Sequence, residues 1–129
     1  NAAIGRVQLK MLDAWNSRRA AIARIYRNIL PAHCLMKEQD GSRPANHLFV
    51  IKTEKRDLLA KHLDEGGIST GIHYPTPIHK QDAYMRLGFG GSFPVAELFA
   101  RKIISIPIFP SMTNDEARYV AESVNEVVS

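Results

Sequence analysis

The chain has 129 residues, a formal net charge of +4, 45% hydrophobic and 23% charged residues. That length allows about one domain with one modest core, and the ordinary balance of apolar and charged residues excludes a disordered or low-complexity chain. No run approaches the ~18 apolar residues of a membrane span, and the basic residues fall in scattered pairs without interleaved aromatics, which argues against nucleic-acid binding. No secretory leader is expected, because a helical pattern starts at once. Cys34 is the single cysteine. It cannot form an internal disulfide, so it fits a reducing, cytoplasmic compartment and the role of a small buried hydrophobe.

In chain order, Ala2 to Leu30 is the first predicted element. Ile4, Val7, Met11, Trp15, Ile22, Ile25 and Ile29 recur at helical spacing among arginines and lysines, which predicts a long amphipathic helix stopped by Pro31. A break is expected near Asn16–Ser17, with Ser17 capping a second segment. At ~1.5 Å per residue such a helix would span ~43 Å, more than this domain needs, so it should pack against another domain or subunit. Ala32 to Asn46 reads as a loop with a short strand near Cys34–Met36. His47 to Lys52 reads as a strand. Thr53 caps a helix carrying Leu58, Leu59 and Leu63 on its buried face, with Gly66 at its C-terminal cap.

Ile68 to Tyr74 is the next predicted strand, Lys80 to Leu87 a short helix, and Gly88–Gly91 a mobile loop. Pro94 opens a helix that runs to Lys102. Ile103 to Ile106 is a strand bounded by Pro107 and Pro110. Thr113 and Glu116 form a capping box that starts a helix with Ala117, Val120, Val124 and Val127 on one face. Three short strands in one sheet, helices packed on one face and a long N-terminal helix make an α+β two-layer small domain over residues 1–129.

The stretch from Gly66 to Gln81 is the most informative. Pro75 and Pro77 fix φ at two nearly adjacent positions and bias Tyr74 and Thr76 toward extended geometry. The turn presents His73, Tyr74, His79 and Lys80 at its edges, and its stiffness leaves less ordering entropy to lose on binding. Two histidines, a tyrosine and a lysine there point to a ligand-facing role, against the alternative of structural hydrogen bonds. Lys80 and Arg43 have the charge to meet a phosphate or simply to be solvated. No third or fourth ligand accompanies His73 and His79 at a useful spacing, so no metal site is expected. The Gly88–Gly91 segment lacks the spacing of a phosphate cradle. There is no nucleophile–base arrangement and no pair of carboxylates suited to acid–base work. These residues describe one wall of a site.

The chain resembles the C-terminal domain of the DegT/DnrJ/EryC1/StrS family of pyridoxal-phosphate-dependent sugar aminotransferases. The resemblance lies in Ala2 to Leu9 with Leu12, Trp15, Arg18 and Tyr26; in His47-Leu48-Phe49-Val50-Ile51; and in Gly71-Ile72-His73-Tyr74-Pro75 through Pro77-Ile78-His79. It continues in Phe93-Pro94-Val95-Ala96-Glu97 and in Ile104-Ser105-Ile106-Pro107 with Pro110 and Thr113. It implies a fold-type I aminotransferase with a larger cofactor domain, a homodimer, an amino-acid donor, typically glutamate, and a nucleotide-linked keto-sugar acceptor. The first helix, residues 1–30, would bridge to that larger domain.

The resemblance also places the Schiff-base lysine and the cofactor-binding residues upstream of this sequence, and none of its own lysines sits in the expected motif. No catalytic or cofactor-binding residue is therefore expected here, and the chain alone should not transaminate. His73, Tyr74, His79, Lys80 and Arg43 are the substrate-binding candidates, His79 foremost. The signature is shared across positional specificities and is closer to deoxysugar 3-amino transfer. Two rival readings are a free-standing small-ligand-binding module and a pure assembly domain.

Overall fold

The computed structural model describes residues 2–129; Asn1, where the expected domain and its first helix begin, lies outside the described residues. The helices are α1 (Ala2–Leu9), α2 (Leu12–Ile29), α3 (Arg56–Glu65), α4 (Asp82–Arg86), α5 (Pro94–Lys102) and α6 (Asn114–Val128), and the strands are β1 (Phe49–Lys52) and β2 (Ile103–Ile106). Short 3₁₀ turns occupy Ala32–Cys34 and Ile78–Lys80.

β1 and β2 pair antiparallel with Phe49 opposite Ile106 and Ile51 opposite Ile104. That register puts four apolar side chains on one face, where they join Ile22 and Tyr26 of α2, Leu59 and Leu63 of α3 and Val120, Ala121 and Val124 of α6 in one core. Cys34 is fully buried in the same core, and burial raises its thiol pKa. The Tyr26 hydroxyl donates to the Pro107 carbonyl at 2.5 Å, which satisfies a polar group inside an otherwise apolar cluster.

The expected third strand is reduced to one residue pair. Gly71 exchanges both backbone hydrogen bonds with Ser105, at 3.1 and 2.7 Å, and forms an isolated bridge at the open edge of β2. Pairing does not continue past it, and Pro75 and Pro77 further on lack the N–H donors a strand needs. The strand expected near Cys34–Met36 is likewise one bridge, Leu35 to Ile51, on the far edge of β1. The sheet is therefore two-stranded.

The N-terminal region is two helices, broken at Lys10–Met11 and not at Asn16–Ser17. Tight turns from Lys10 N–H to the Val7 carbonyl and from Met11 N–H to the Gln8 carbonyl mark the break. α2 is pinned to the body by Arg18, whose guanidinium bonds the Met112 carbonyl and Asn114 Oδ1, whereas α1 buries none of its residues. Leu58, expected in the buried face of α3, is 59% exposed; Leu59 and Leu63, four residues apart, carry that face. Thr53 does not cap α3: its N-cap is Lys55, and Thr53 Oγ1 accepts only from the Lys55 N–H, two residues on and before the helix starts. The other helix-end signals hold. Gly66 caps α3, Pro94 opens α5, and Thr113 and Glu116 form the capping box of α6.

Candidate functional site

The second face of the sheet presents Val50, Ser105 and Ile103. It looks toward the segment that connects α3 to α5, in which no residue from Ser69 to Phe99 is buried. This segment contains the proline-stiffened turn, and four of the five candidate residues lie on it.

His73 is turned inward on the sheet: Nδ1 shares a hydrogen bond with Ser105 Oγ at 3.0 Å. A Cβ at Gly71 would come within 2.8 Å of His73 Cε1, so the imidazole can lie across the strand edge only because position 71 is glycine. The His73–Tyr74 peptide is cis, and the Tyr74 ring stands edge-on to His73 with 5.7 Å between centroids. Tyr74 itself is 74% exposed.

Tyr74 and His79 come together on one cavity of about 670 Å³, whose walls include Pro77, Ile78, Phe93 and Phe99. Its volume and mainly apolar lining, with a few polar groups, match the general character of small-molecule sites. Lys80 and Tyr74 border a neighbouring hollow. His73 lines a separate cavity of about 640 Å³ with Asn46, His47, Phe99 and Ile103. Arg43 lines none of these but a hollow with Asp13, Asn16 and Glu38, which adjoins the His73 cavity through Arg27, Pro44 and Asn46.

Glu97, on the first turn of α5, is the charged group that the sequence reading left without a role. Its Oε1 faces His79 Nε2 at 3.1 Å and accepts from the Phe93 N–H at 3.2 Å, and its Oε2 accepts from Lys80 Nζ at 2.7 Å. Lys80 first, then His79, then the Phe93 N–H hold the carboxyl well below the usual carboxylate range, at about 2. The His79 ring also packs on Phe93, with 4.7 Å between centroids. Nothing local announces this contact: Glu97 follows Lys80 by 17 residues and His79 by 18. Ser105 was also missed, although a lone hydroxyl inside an isoleucine-rich strand is a visible signal of a polar partner.

Among the described residues no three or more His, Cys, Asp or Glu side chains are grouped to hold a metal ion, and no helix is long and apolar enough to cross a membrane.

The chain is 44% identical over 123 residues to the erythromycin biosynthesis sensory transduction protein EryC1 of Saccharopolyspora erythraea, covering 92% of this chain and 34% of that protein. It is 42% identical over 129 residues to the dTDP-3-amino-3,4,6-trideoxy-alpha-D-glucose transaminase of Streptomyces venezuelae, covering 97% of this chain and 34% of that one. Among solved structures, S. venezuelae DesV in complex with a ketimine intermediate matches with a TM-score of 0.89 at 41% identity, over 97% of this chain and 35% of that chain. The chain thus spans about a third of the length of these relatives. Residues 1–125 match the model of the DegT/DnrJ/EryC1/StrS aminotransferase family, and the chain belongs to that family.

Proposed function

We propose that this chain is the C-terminal small domain of a pyridoxal-phosphate-dependent aminotransferase. That enzyme would move an amino group from an amino acid, glutamate being the expected donor, onto a nucleotide-linked keto-sugar. One observation carries the reading: the signature loop of the family brings Tyr74 and His79 onto one mainly apolar cavity of about 670 Å³. The relatives support the substrate class, since one is named as a transaminase of a dTDP-linked 3-amino sugar. They favour this reading over a stand-alone binding or assembly module.

When bound, pyridoxal phosphate supplies the electron sink for amino transfer. We expect the residues here not to make up its site. No lysine lines the cavity, and Lys80 beside it is ion-paired with Glu97. No step is derived through the cofactor, and we expect the chain alone not to transaminate. Its proposed part is to bind and orient the acceptor. Tyr74 and His79 would offer hydrogen bonds to the sugar or phosphate, Lys80, His73 and Arg43 are the further candidate contacts, and the Phe93 and Phe99 rings would exclude water. α1 would pack on the remainder of the enzyme, a cytoplasmic homodimer.

The test is an assay of the protein that carries this chain, with dTDP-linked keto-sugars and glutamate, beside the 129-residue chain alone. Turnover by the former and none by the latter is expected. No turnover by the larger protein sinks the function, and turnover by the chain alone sinks its proposed division of labour. In the larger protein, His79→Ala is expected to raise the sugar KM about tenfold, the scale of one lost hydrogen bond to a charged group, with the donor KM unmoved. Unchanged sugar kinetics refute the role of His79.

A further inference from the structure

Pro75 and Pro77 stiffen the signature loop, but they do not attach it to the domain. The Ile78–Lys80 turn buries no residue. Its directed attachments to α5 are the Glu97 carboxylate, which takes both His79 and Lys80, and the tilted packing of the His79 ring on Phe93, where α5 begins. Glu97 is in turn held on its own helix by the Phe93 N–H. The pairing is sheltered on the loop side and on the helix side: the His79 side chain is 9% exposed and that of Glu97 18%. A charge-assisted contact of this kind is stronger than an exposed ion pair.

The hydrogen-bond inventory fixes the imidazole. An ionised carboxylate only accepts, so the ring nitrogen facing it, Nε2, must carry its proton. Nδ1 makes no hydrogen bond among the described residues and is the ring atom left for a ligand.

We propose that Glu97 is a positioning residue: it docks the His79 turn on α5 and holds the imidazole as Nε2–H, so that Nδ1 is the atom offered to the nucleotide-sugar acceptor. The acceptor part of this rests on the function proposed above; the docking part does not.

Glu97→Gln separates shape from charge. The amide keeps the volume but has one acceptor oxygen where the carboxylate has two. With that oxygen on the His79 and Phe93 side, the amide NH₂ meets the Lys80 ammonium, donor against donor. Flipped, it meets the Phe93 N–H and the His79 Nε2–H. The flipped amide keeps both partners only if His79 moves its proton to Nδ1, so either a tether or the Nε2–H tautomer is lost.

The experiment uses the protein that carries this chain. Trypsin cleavage after Lys80 is followed by mass spectrometry, with cleavage after Lys61, an exposed lysine on α3, as the control for overall folding. In Glu97→Gln, cleavage after Lys80 should rise about tenfold while cleavage after Lys61 stays unchanged, since local opening reports local stability. Unchanged cleavage after Lys80, or a parallel rise at Lys61, overturns the docking role. Sugar kinetics then test the acceptor part by a double-mutant cycle. Glu97→Gln should raise the sugar KM about as much as His79→Ala, and the double variant should be no worse than His79→Ala alone. Additive losses show that Glu97 does not act through His79 and overturn the positioning. Faster cleavage after Lys80 with unmoved sugar kinetics upholds the docking and sinks the sugar-site reading.

Discussion

On one face of the β1–β2 pair, Phe49, Ile51, Ile104 and Ile106 meet α2, α3 and α6 and are at most 5% exposed. On the other, Val50 and Ile103 border open cavities, and none of the 31 residues from Ser69 to Phe99 is buried as a whole. The first half is held by apolar burial, which is non-directional and sums over many contacts. The second is held largely by directed contacts, among them those of Ser105 with Gly71 and His73 and of Glu97 with His79, Lys80 and Phe93. On the function proposed above, stability and recognition would be divided between the two faces of one small sheet. Substitutions on the first face should therefore unfold the domain, and substitutions on the second should change what it presents while the fold survives.

The largest effect that tests this division is Ile104→Ala. Ile104 is fully buried, so its truncation should cost about 2–5 kcal/mol in urea unfolding. Leu87→Ala removes a side chain of the same size that is 68% exposed, and it should stay within about 0.5 kcal/mol. Equal losses would erase the contrast. Thr113→Ala removes the hydroxyl that accepts from the Glu116 N–H and opens the capping box of α6, at a cost of about 1 kcal/mol by the same measurement.

The smallest effect is a pH dependence on the second face. The Glu97 carboxyl is depressed from 4.5 to about 2 in the folded chain. A depressed acid stabilises the fold above its unfolded pKa and loses that contribution as pH falls through the folded one. The gap in urea midpoint between wild type and Glu97→Gln should thus be constant above about pH 4.5 and close as pH approaches about 2. A gap that persists at pH 2 would mean that the carboxylate charge is not what holds the turn.

Much of the fold was legible because its signals are local. Pro31, Gly66, Pro94 and the Thr113–Glu116 box act within one helical turn of where they stand, and each marks an element end found in the structure. The apolar runs in His47–Lys52 and Ile103–Ile106 likewise read as strands, because β-branched and aromatic side chains suit a half-buried sheet, although the first strand starts only at Phe49. The misread features depend on contacts between distant residues. Ile68–Tyr74 has strand composition, but only Gly71 pairs, with Ser105, and the prolines that follow supply no N–H to extend the ladder. The helix break at Lys10–Met11 has no glycine or proline to announce it. At the candidate site, the turn residues were visible from their prolines. That Tyr74 and His79 share a cavity from which Arg43 is absent, and that Glu97 gathers His79 with Lys80, depends on where α5 docks, which no short-range pattern records.

The fully buried Cys34 has a practical consequence. It is the one thiol in the chain, and burial raises its pKa, which disfavours the nucleophilic thiolate while the thiol stays packed in the core. Its alkylation rate would be a clock for breathing of the domain. A ligand that seats on the far side of the sheet and steadies the whole molecule would slow that clock without touching it.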